Sequence, residues 1–308
     1  MIHTVTVNPA LDLTYRVPGL TFDDTVRAQE VLRAPGGKGV NVSRVATRLG
    51  HPTVAMGFVG GRAGDEIEDL LRAEGVRTWF ARHDAPTRTN AIVQDDAGRQ
   101  LRISGPGPRI DADQVAALID SLFELRAPAF LVLSGSLLPG VPSDLYARVA
   151  RRAAEDGVAS VVDADAELGA ALEAGVALIK PNAYELGRLT GREVHDVASA
   201  RDAADVARAR GADVVVTSLG RNGALWSGPE GHWHATAPEV EVDSALGAGD
   251  ALLAGVLSAR ADGASPADAL ALGVACGTAT AMTPGTDLCR REDVDALRPQ
   301  VRVTRLDA

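Results

Sequence analysis

The chain has few aromatic residues and almost no cysteine. Aromatics make up 4% of its 308 residues, so any core must be built from aliphatic side chains. Cys276 and Cys289 are the only cysteines, with no CxxC pair and no Cys/His cluster. Neither a zinc site nor a disulfide framework follows from such a pair. Cys276 lies in the apolar run Leu272-Gly273-Val274-Ala275-Cys276 and reads as core filler. No apolar run approaches the ~18 residues of a membrane span. Ahead of Ile2 there is no basic, apolar and cleavable leader, and the expectation is a cytoplasmic protein. Positive charge is also short. The formal net charge of −10 argues against nucleic acid or an anionic membrane as partner. An anionic small-molecule substrate would need a basic pocket set into that acidic background.

What is present is a hydrophobic content of 46% arranged in a strand–helix rhythm. The length favours one α/β domain with an appendage over two equal domains. Residues 2–7 read as a buried first strand closed by Asn8-Pro9. A helix is expected over 40–49, ending at Gly50, then a strand at 54–59, a helix at 65–73 and a strand at 76–80. After Pro108, Asp111 and Gln114 resemble a capping box. Strands are expected near 130–133, 160–163, 177–179 and 214–216, with helices at about 142–155 and 197–209. Repeated alternation of this kind predicts a mostly parallel sheet with helices on both faces. Ligands of such sheets bind beyond the carboxyl ends of the strands, where Asn8, Ser134, Asp163, Lys180 and Thr217 fall. Four short segments break the rhythm. Those near 12–34, and the hairpin of 87–94 and 99–103 about Asp95-Asp96-Ala97-Gly98, read as one small accessory sheet.

The stretch Ser244-Ala245-Leu246-Gly247-Ala248-Gly249-Asp250 leads into an apolar run that reads as a buried helix. The first amides of a helix lack internal partners and carry partial positive charge. Glycines there let an anion approach closely. Asp250 hangs a carboxylate beside that cradle, where it can take a proton from a hydroxyl, as phosphoryl transfer to an alcohol requires. A dipole-pairing carboxylate is the bland reading of the same residue. Gly36-Gly37-Lys38-Gly39-Val40-Asn41 lacks the spacing of a Walker A loop and of a dinucleotide fingerprint. It does place a lysine and free amides at a helix start, which suits a second anion.

Taken together, these motifs resemble the ribokinase-like (phosphofructokinase B) carbohydrate kinases from end to end. Asn8-Pro9-Ala10-Leu11-Asp12, the 36–41 motif, Ser134-Gly135-Ser136-Leu137, Lys180-Pro181-Asn182-Ala183-Tyr184-Glu185, Thr217-Ser218-Leu219-Gly220 and Gly247-Ala248-Gly249-Asp250 follow the family's order and spacing. The resemblance implies a ribokinase-like, doubly wound fold over 1–308, with lid strands inserted at about 12–34 and 87–104. It implies Asp250 as base, with the amides of Gly247, Ala248 and Gly249 holding the transferred phosphoryl group. Substrate contacts are implied at Asp12, Gly37, Lys38, Asn41, Arg88, Asn90 and Ser136. The nucleotide would lie against Lys180, Asn182, Thr217, Ser218, Gly220 and Gly223. Glu185, paired with Asn182, would act through water on Mg²⁺ bound to ATP. A homodimer through the lid is implied as well.

Within the family the phosphosugar kinases are nearest in motif. Arg88, in Thr87-Arg88-Thr89-Asn90, adds a guanidinium that can meet a phosphate already on the substrate. The opening motif and Ser104-Gly105-Pro106-Gly107-Pro108 resemble 1-phosphofructokinases and tagatose-6-phosphate kinases more than ribokinases. The resemblance therefore implies conversion of fructose 1-phosphate to fructose 1,6-bisphosphate, with tagatose 6-phosphate or fructose 6-phosphate as alternative acceptors. A non-catalytic sugar-phosphate sensor and a nicotinamide-dependent oxidoreductase are the rival classes. The sensor would not need Asp250, the cradle and Glu185 together, and the oxidoreductase lacks its phosphate fingerprint. Two departures stand out: Ala245 replaces a usual Thr, and Pro139 falls one position late, after Leu138.

Overall fold

The computed structural model describes residues 1–306 apart from Asp23, so one position in the first expected lid segment lies outside the described residues, as do Asp307 and Ala308. The chain opens with β1 (Ile2–Thr6), β2 (Ala10–Val17), β3 (Glu30–Gly36), α1 (Lys38–Arg48), β4 (Thr53–Val59), α2 (Gly61–Ala73), β5 (Arg77–Arg82), β6 (Arg88–Asp95) and β7 (Gln100–Ile103). It continues through α3 (Ala112–Leu122), β8 (Phe130–Ser134), α4 (Leu145–Glu155), β9 (Ala159–Asp163), α5 (Leu168–Ala174), β10 (Val176–Ile179), α6 (Ala183–Thr190) and α7 (Val197–Ala209). The last third holds β11 (Ala212–Ser218), β12 (Ala224–Gly228), β13 (Gly231–Thr236), α8 (Ala248–Ala261), α9 (Pro266–Ala281), α10 (Arg291–Leu297) and β14 (Arg302–Leu306).

Among the described residues the large sheet has ten strands, in the order β14-β13-β12-β11-β10-β9-β8-β1-β4-β5. The run from β11 to β5 is parallel, whereas β12, β13 and β14 extend it in antiparallel fashion. Every residue of β1 and β4 is buried, as expected of strands covered on both faces. Strand order reverses at β1, which pairs β8 on one side and β4 on the other, so a crevice opens beyond its carboxyl end. The register sets Thr6, Ser134 and Asp163 in one row along that edge.

Two core clusters fill the faces. One gathers the inner sides of α3, α4, α5, α6 and α7, and the other those of α1, α8, α9 and α10. Helix α8 is buried at every position from Asp250 to Ala259. It packs on α9 with very little space between the backbones: a Cβ on Gly255 would fall 2.8 Å from the Gly273 Cα, and one on Gly273 would fall 2.8 Å from the Leu252 carbonyl. Small residues at this crossing hold α8 deep in the molecule and fix where its amino end emerges.

The small sheet runs β3-β2-β6-β7. Its register pairs Ala10 with Arg88, Asp12 with Asn90, and Thr14 with Ile92, which in turn faces Arg102. Successive side chains alternate between faces, so Arg88, Asn90, Asp12 and Arg102 share one side. The other side carries Leu13, Tyr15, Val31, Ala91, Val93, Leu101 and Ile103, of which Val31, Leu101 and Ile103 are exposed. A further small hydrophobic cluster, including Leu11, Val40, Ile67, Leu71 and Val76, lies beneath this sheet.

Candidate active site

A cavity of about 530 Å³ opens beyond the carboxyl ends of β1, β8 and β9. Thr6, Asn8, Asp12, Gly37, Lys38, Asn41, Arg88, Ser136, Glu185, Gly247 and Asp250, all but two of them expected from sequence, line it. Arg102, Asp165, Glu167 and Thr286 complete its polar wall.

Gly247 caps α8 in the left-handed conformation, with φ of 78°. A side chain there would strain the backbone and would also meet the Leu288 Cδ2 at 2.7 Å. Ala248 and Gly249 form the first turn, and Asp250 follows in it. The Asp250 carboxylate is 8% exposed and accepts a hydrogen bond from Asn41 Nδ2 at 2.8 Å. Burial raises its carboxyl to about 6; Asp163 adds to the rise, while the Asn41 bond, Lys180 and Lys38 oppose it. Near neutral pH such a group is ionised yet basic enough to accept a proton, which is the tuning that acid–base work needs.

Gly37, with φ of 124°, turns the chain from β3 into α1. The hydroxyl of Thr6 accepts from the Val40 amide at 3.0 Å, satisfying one free donor of that helix start. Lys38 in the first turn donates to Asp163 Oδ1 at 2.9 Å. Burial alone would lower Lys38, but the charge of Asp163 and this hydrogen bond outweigh it, and the ammonium is held above its ordinary value. Lys180 Nζ stands 3.2 Å from the other Asp163 oxygen, and Asp163 itself is fully buried. A Cβ on Gly249 would lie 3.3 Å from that same Nζ, so Lys180 overlooks the first turn of α8.

On the small-sheet side, Asp12 Oδ1 accepts from Asn90 Nδ2 at 2.7 Å. Burial raises the Asp12 carboxyl, and the Asn90 bond acts against it. Gly36 lies beneath: a Cβ there would fall 2.3 Å from Asp12 Oδ2, so the position of this carboxylate depends on glycine. Asn90 is 1% exposed and lies behind the cavity wall, on the sheet face it shares with Asp12 and Arg88. Arg88 does not pair with Asp95 or Asp96. Its two terminal nitrogens donate to the carbonyls of Gly105 and Asn8, each at 2.9 Å, and its buried Nε has no partner. Asp95 is instead taken by Arg99.

Asn182 and Glu185 form a reciprocal capping box on α6: Glu185 N donates to Asn182 Oδ1 at 2.8 Å and Asn182 N to Glu185 Oε2 at 2.9 Å. The Asn182 and Glu185 pair, to which the family resemblance gives a metal role, therefore also has an ordinary structural use. Thr217, Ser218, Gly220 and Gly223 lie outside the cavity wall. Thr217 is fully buried, and Ser218 bridges to Asn182 beside the end of β10. At Gly223 a Cβ would overlap the Ala235 carbonyl at 1.8 Å, so this glycine serves the β11–β12 connection.

Two residues in and beside the cavity wall were not among the site residues expected from sequence. Asp163 was visible only as a carboxylate at a strand end, since the lysines it binds come from 125 residues before it and from the next strand. Arg102 could have been found by alternation, because the hairpin register puts it on the face of Arg88 and Asn90.

A buried carboxylate beside a glycine-built helix start, at the reversal point of a parallel sheet and beneath a small antiparallel one, defines a ribokinase-like small-molecule kinase. A family model described as the pfkB family carbohydrate kinase matches residues 5–293. The chain is 34% identical to a 1-phosphofructokinase of Bacillus subtilis over 99% of its length and 100% of that protein. It is 37% identical to a 1-phosphofructokinase of Haloferax volcanii over 99% of its length and 98% of that protein. The crystal structure of phosphofructokinase-2 from Escherichia coli in complex with fructose-6-phosphate matches with a TM-score of 0.91 at 32% identity, covering 97% of this chain and 98% of the other. The chain belongs to the pfkB family of carbohydrate kinases.

Proposed function

We propose that this enzyme transfers the γ-phosphoryl group of ATP to the 6-hydroxyl of fructose 1-phosphate. The observation that carries the reading is the layout of one cavity: a buried base at the α8 end, and a carboxylate and two arginines on the small-sheet face. Asp12 accepts a hydrogen bond from a sugar hydroxyl through the oxygen that Asn90 leaves free. Arg88 and Arg102 meet the phosphate already on the sugar, with Lys38, Gly37, Asn41 and Ser136 along the wall between. Asp250 accepts the proton of the 6-hydroxyl as its oxygen forms the new bond to phosphorus. The bond from that phosphorus to the bridging oxygen breaks, and ADP leaves with the electron pair. The amides of Gly247, Ala248 and Gly249, with the Lys180 ammonium, stabilise charge on the transferring oxygens.

The nucleotide is assigned to the open side near Lys180, Asn182, Thr217, Ser218, Gly220 and Gly223. Among the described residues no group of three or more His, Cys, Asp or Glu side chains is placed to hold a metal directly. A lone carboxylate at Glu185, half committed to its cap, suits a cation that keeps most of its waters, as Mg²⁺ does. Bound with ATP, Mg²⁺ supplies positive charge against the phosphoryl oxygens. Glu185→Gln retains an acceptor for the Asn182 amide and loses only charge. It should shift the Mg²⁺ titration of activity to higher concentration without lowering the unfolding temperature. An unchanged titration would leave Glu185 as a helix cap and nothing more.

The small sheet is read as a lid, formed by about 12–34 and 87–104 within one kinase domain. Its apolar outer face, with Ile103 59% exposed, is assigned to a homodimer. Light scattering should find a dimer whose dissociation is promoted by Ile103→Lys; a monomeric parent protein would contradict this. No helix of the described residues is long and apolar enough to cross a membrane, and the assignment to the cytoplasm is kept as a proposal. Fructose 6-phosphate is the second reading, favoured by the likeness to the Escherichia coli structure that contains it. An ADP-release assay over fructose, fructose 1-phosphate, fructose 6-phosphate and tagatose 6-phosphate separates these. The largest kcat/KM is expected on fructose 1-phosphate. A preference for either 6-phosphate would overturn the acceptor, and no release with any sugar would favour a sensor.

A further inference from the structure

Of the 31 basic residues in the chain only two are lysines, Lys38 and Lys180, and both ammonium groups rest on the carboxylate of Asp163. Everywhere else the sequence uses arginine. A guanidinium is a rigid, planar fork, whereas an ammonium is a compact charge with rotatable donors that can bind one partner and turn toward another. Asp163 is fully buried, and its fixing is independent of the lysines: β9 pairs β8 with Asp163 opposite Ser134, and the Gly135 amide donates to the Asp163 carbonyl at 3.0 Å. The Lys180 amide in turn donates to the Val162 carbonyl at 3.2 Å, bringing that side chain alongside. Lys38 is bound through a hydrogen bond. Lys180 is within ion-pair distance but lacks hydrogen-bond geometry to Asp163 Oδ2, which keeps an unfilled lone pair in a buried place. The two cations thus flank one carboxylate while a second, Asp250, lies close enough to feel all three.

We propose that Asp163 is a positioning residue: it holds Lys38 and Lys180 where both can meet phosphoryl oxygens and keeps them from pairing with Asp250, so that Asp250 remains a base. The inference rests on the reading of Asp250 given above. With Asp163 present the four charges sum to zero. Without it, two cations face a single carboxylate, which then holds its charge to lower pH and accepts a proton less readily.

The charged groups that face Asp250 are Lys38 on α1, Asp163 at the end of β9 and Lys180 after β10, with Asn41 donating to it from α1. The loop after α9 contributes Thr286 and Leu288, neither of which titrates here. Asp12, Arg88 and Arg102 lie on the small-sheet wall, and Asp165, Glu167 and Glu185 on the wall beyond β9 and β10.

The test is the pH dependence of kcat at saturating ATP and fructose 1-phosphate. Activity of the parent enzyme should fall on the acid side with a midpoint near the value of about 6 expected for Asp250. In Asp163→Asn the midpoint should move down by roughly one pH unit, the scale on which a nearby charge shifts a carboxyl. Its plateau should be reduced, with KM raised for both substrates. In Lys38→Met, which removes a cation, the midpoint should move up instead. Opposite displacements are the signature of charge, since loosened packing has no reason to move the two variants in opposite directions. The substrate phosphates lose a proton near pH 6 as well, but they are the same in every variant, so only differences between variants count. If Asp163→Asn does not fold, as judged by circular dichroism, the Lys38→Met shift alone decides. Midpoints that stay in place, or move together, would overturn the role of Asp163 while leaving Asp250 as base. A parent enzyme whose acid limb persists unchanged in the residual activity of Asp250→Asn would overturn both.

Discussion

Asp250→Asn should lower kcat by roughly 10²–10⁴-fold, the usual size of general-base assistance, while ATP binding stays nearly intact. The change is close to isosteric, and the Asn41 amide at 2.8 Å keeps a carbonyl oxygen to donate to if the new amide turns its oxygen that way. The α8 cradle is built from backbone amides and Gly247, none of which the substitution touches. What is lost is the carboxylate at the α8 end of the cavity, whose ionisation burial and Asp163 move toward neutrality. The bland reading, a carboxylate that only complements the helix dipole, predicts something different. A dipole partner contributes about 0.3–1 kcal/mol to stability and nothing specific to turnover. A variant keeping more than about a tenth of parental kcat, with chemistry shown to limit the rate, would support that alternative and remove the base.

Arg88→Ala should cost about 10- to 150-fold in kcat/KM for the phosphosugar, since hydrogen bonds to charged groups are worth roughly 1.5–3 kcal/mol. KM for ATP should hardly change, and any slow reaction of unphosphorylated fructose should not fall in parallel. The structure adds a reason to expect an effect of this size. The side chain is half-buried and already oriented by the carbonyls of Asn8 and Gly105, so little is lost in ordering it when an anion arrives. Its Nε is buried without a partner. Burial also lowers the guanidinium's pKa, a pressure that an incoming phosphate would relieve. Arg88→Lys is the informative companion. It restores charge without the fork and should recover only part of the loss. Equal losses on fructose and fructose 1-phosphate, or none on either, would mean that Arg88 supports the loop around Gly105 and does not read the phosphate.

Local signals in the sequence reach a long way into this fold. Residues 197–209 were expected as a helix and form one with those bounds, and the Asp111/Gln114 capping box is present. The helix opened by the 36–41 motif begins at Lys38, two residues earlier than expected, because Gly37 provides the turn that frees its amides. The antiparallel extension was not read. Strand β12 is buried throughout and β14 pairs β13 from some seventy residues away, a long-range pairing that no local period encodes. Helices α5 and α6 are short, at 7 and 8 residues, too brief to show a clear period.

The candidate site shows the same division. Residues fixed by motif at two helix starts, Gly37, Lys38 and Asn41 on α1 and Gly247 and Asp250 on α8, meet in one cavity. Asn90, expected at the substrate, is hydrogen-bonded to Asp12, a pairing between strands that no local period encodes. Asp163 was legible as a polar strand end, but its pairing with both lysines is a property of sheet order.

Catalysis by this enzyme should transfer a phosphoryl group from ATP to the 6-hydroxyl of a sugar that already carries one phosphate. Phosphorus NMR of the products from ATP and fructose 1-phosphate reads this directly. One ADP is expected for each fructose 1,6-bisphosphate, with a second phosphomonoester coupled to the C6 protons and no accumulation of inorganic phosphate. ADP accompanied by inorganic phosphate, or a new phosphomonoester on any other carbon, would contradict it.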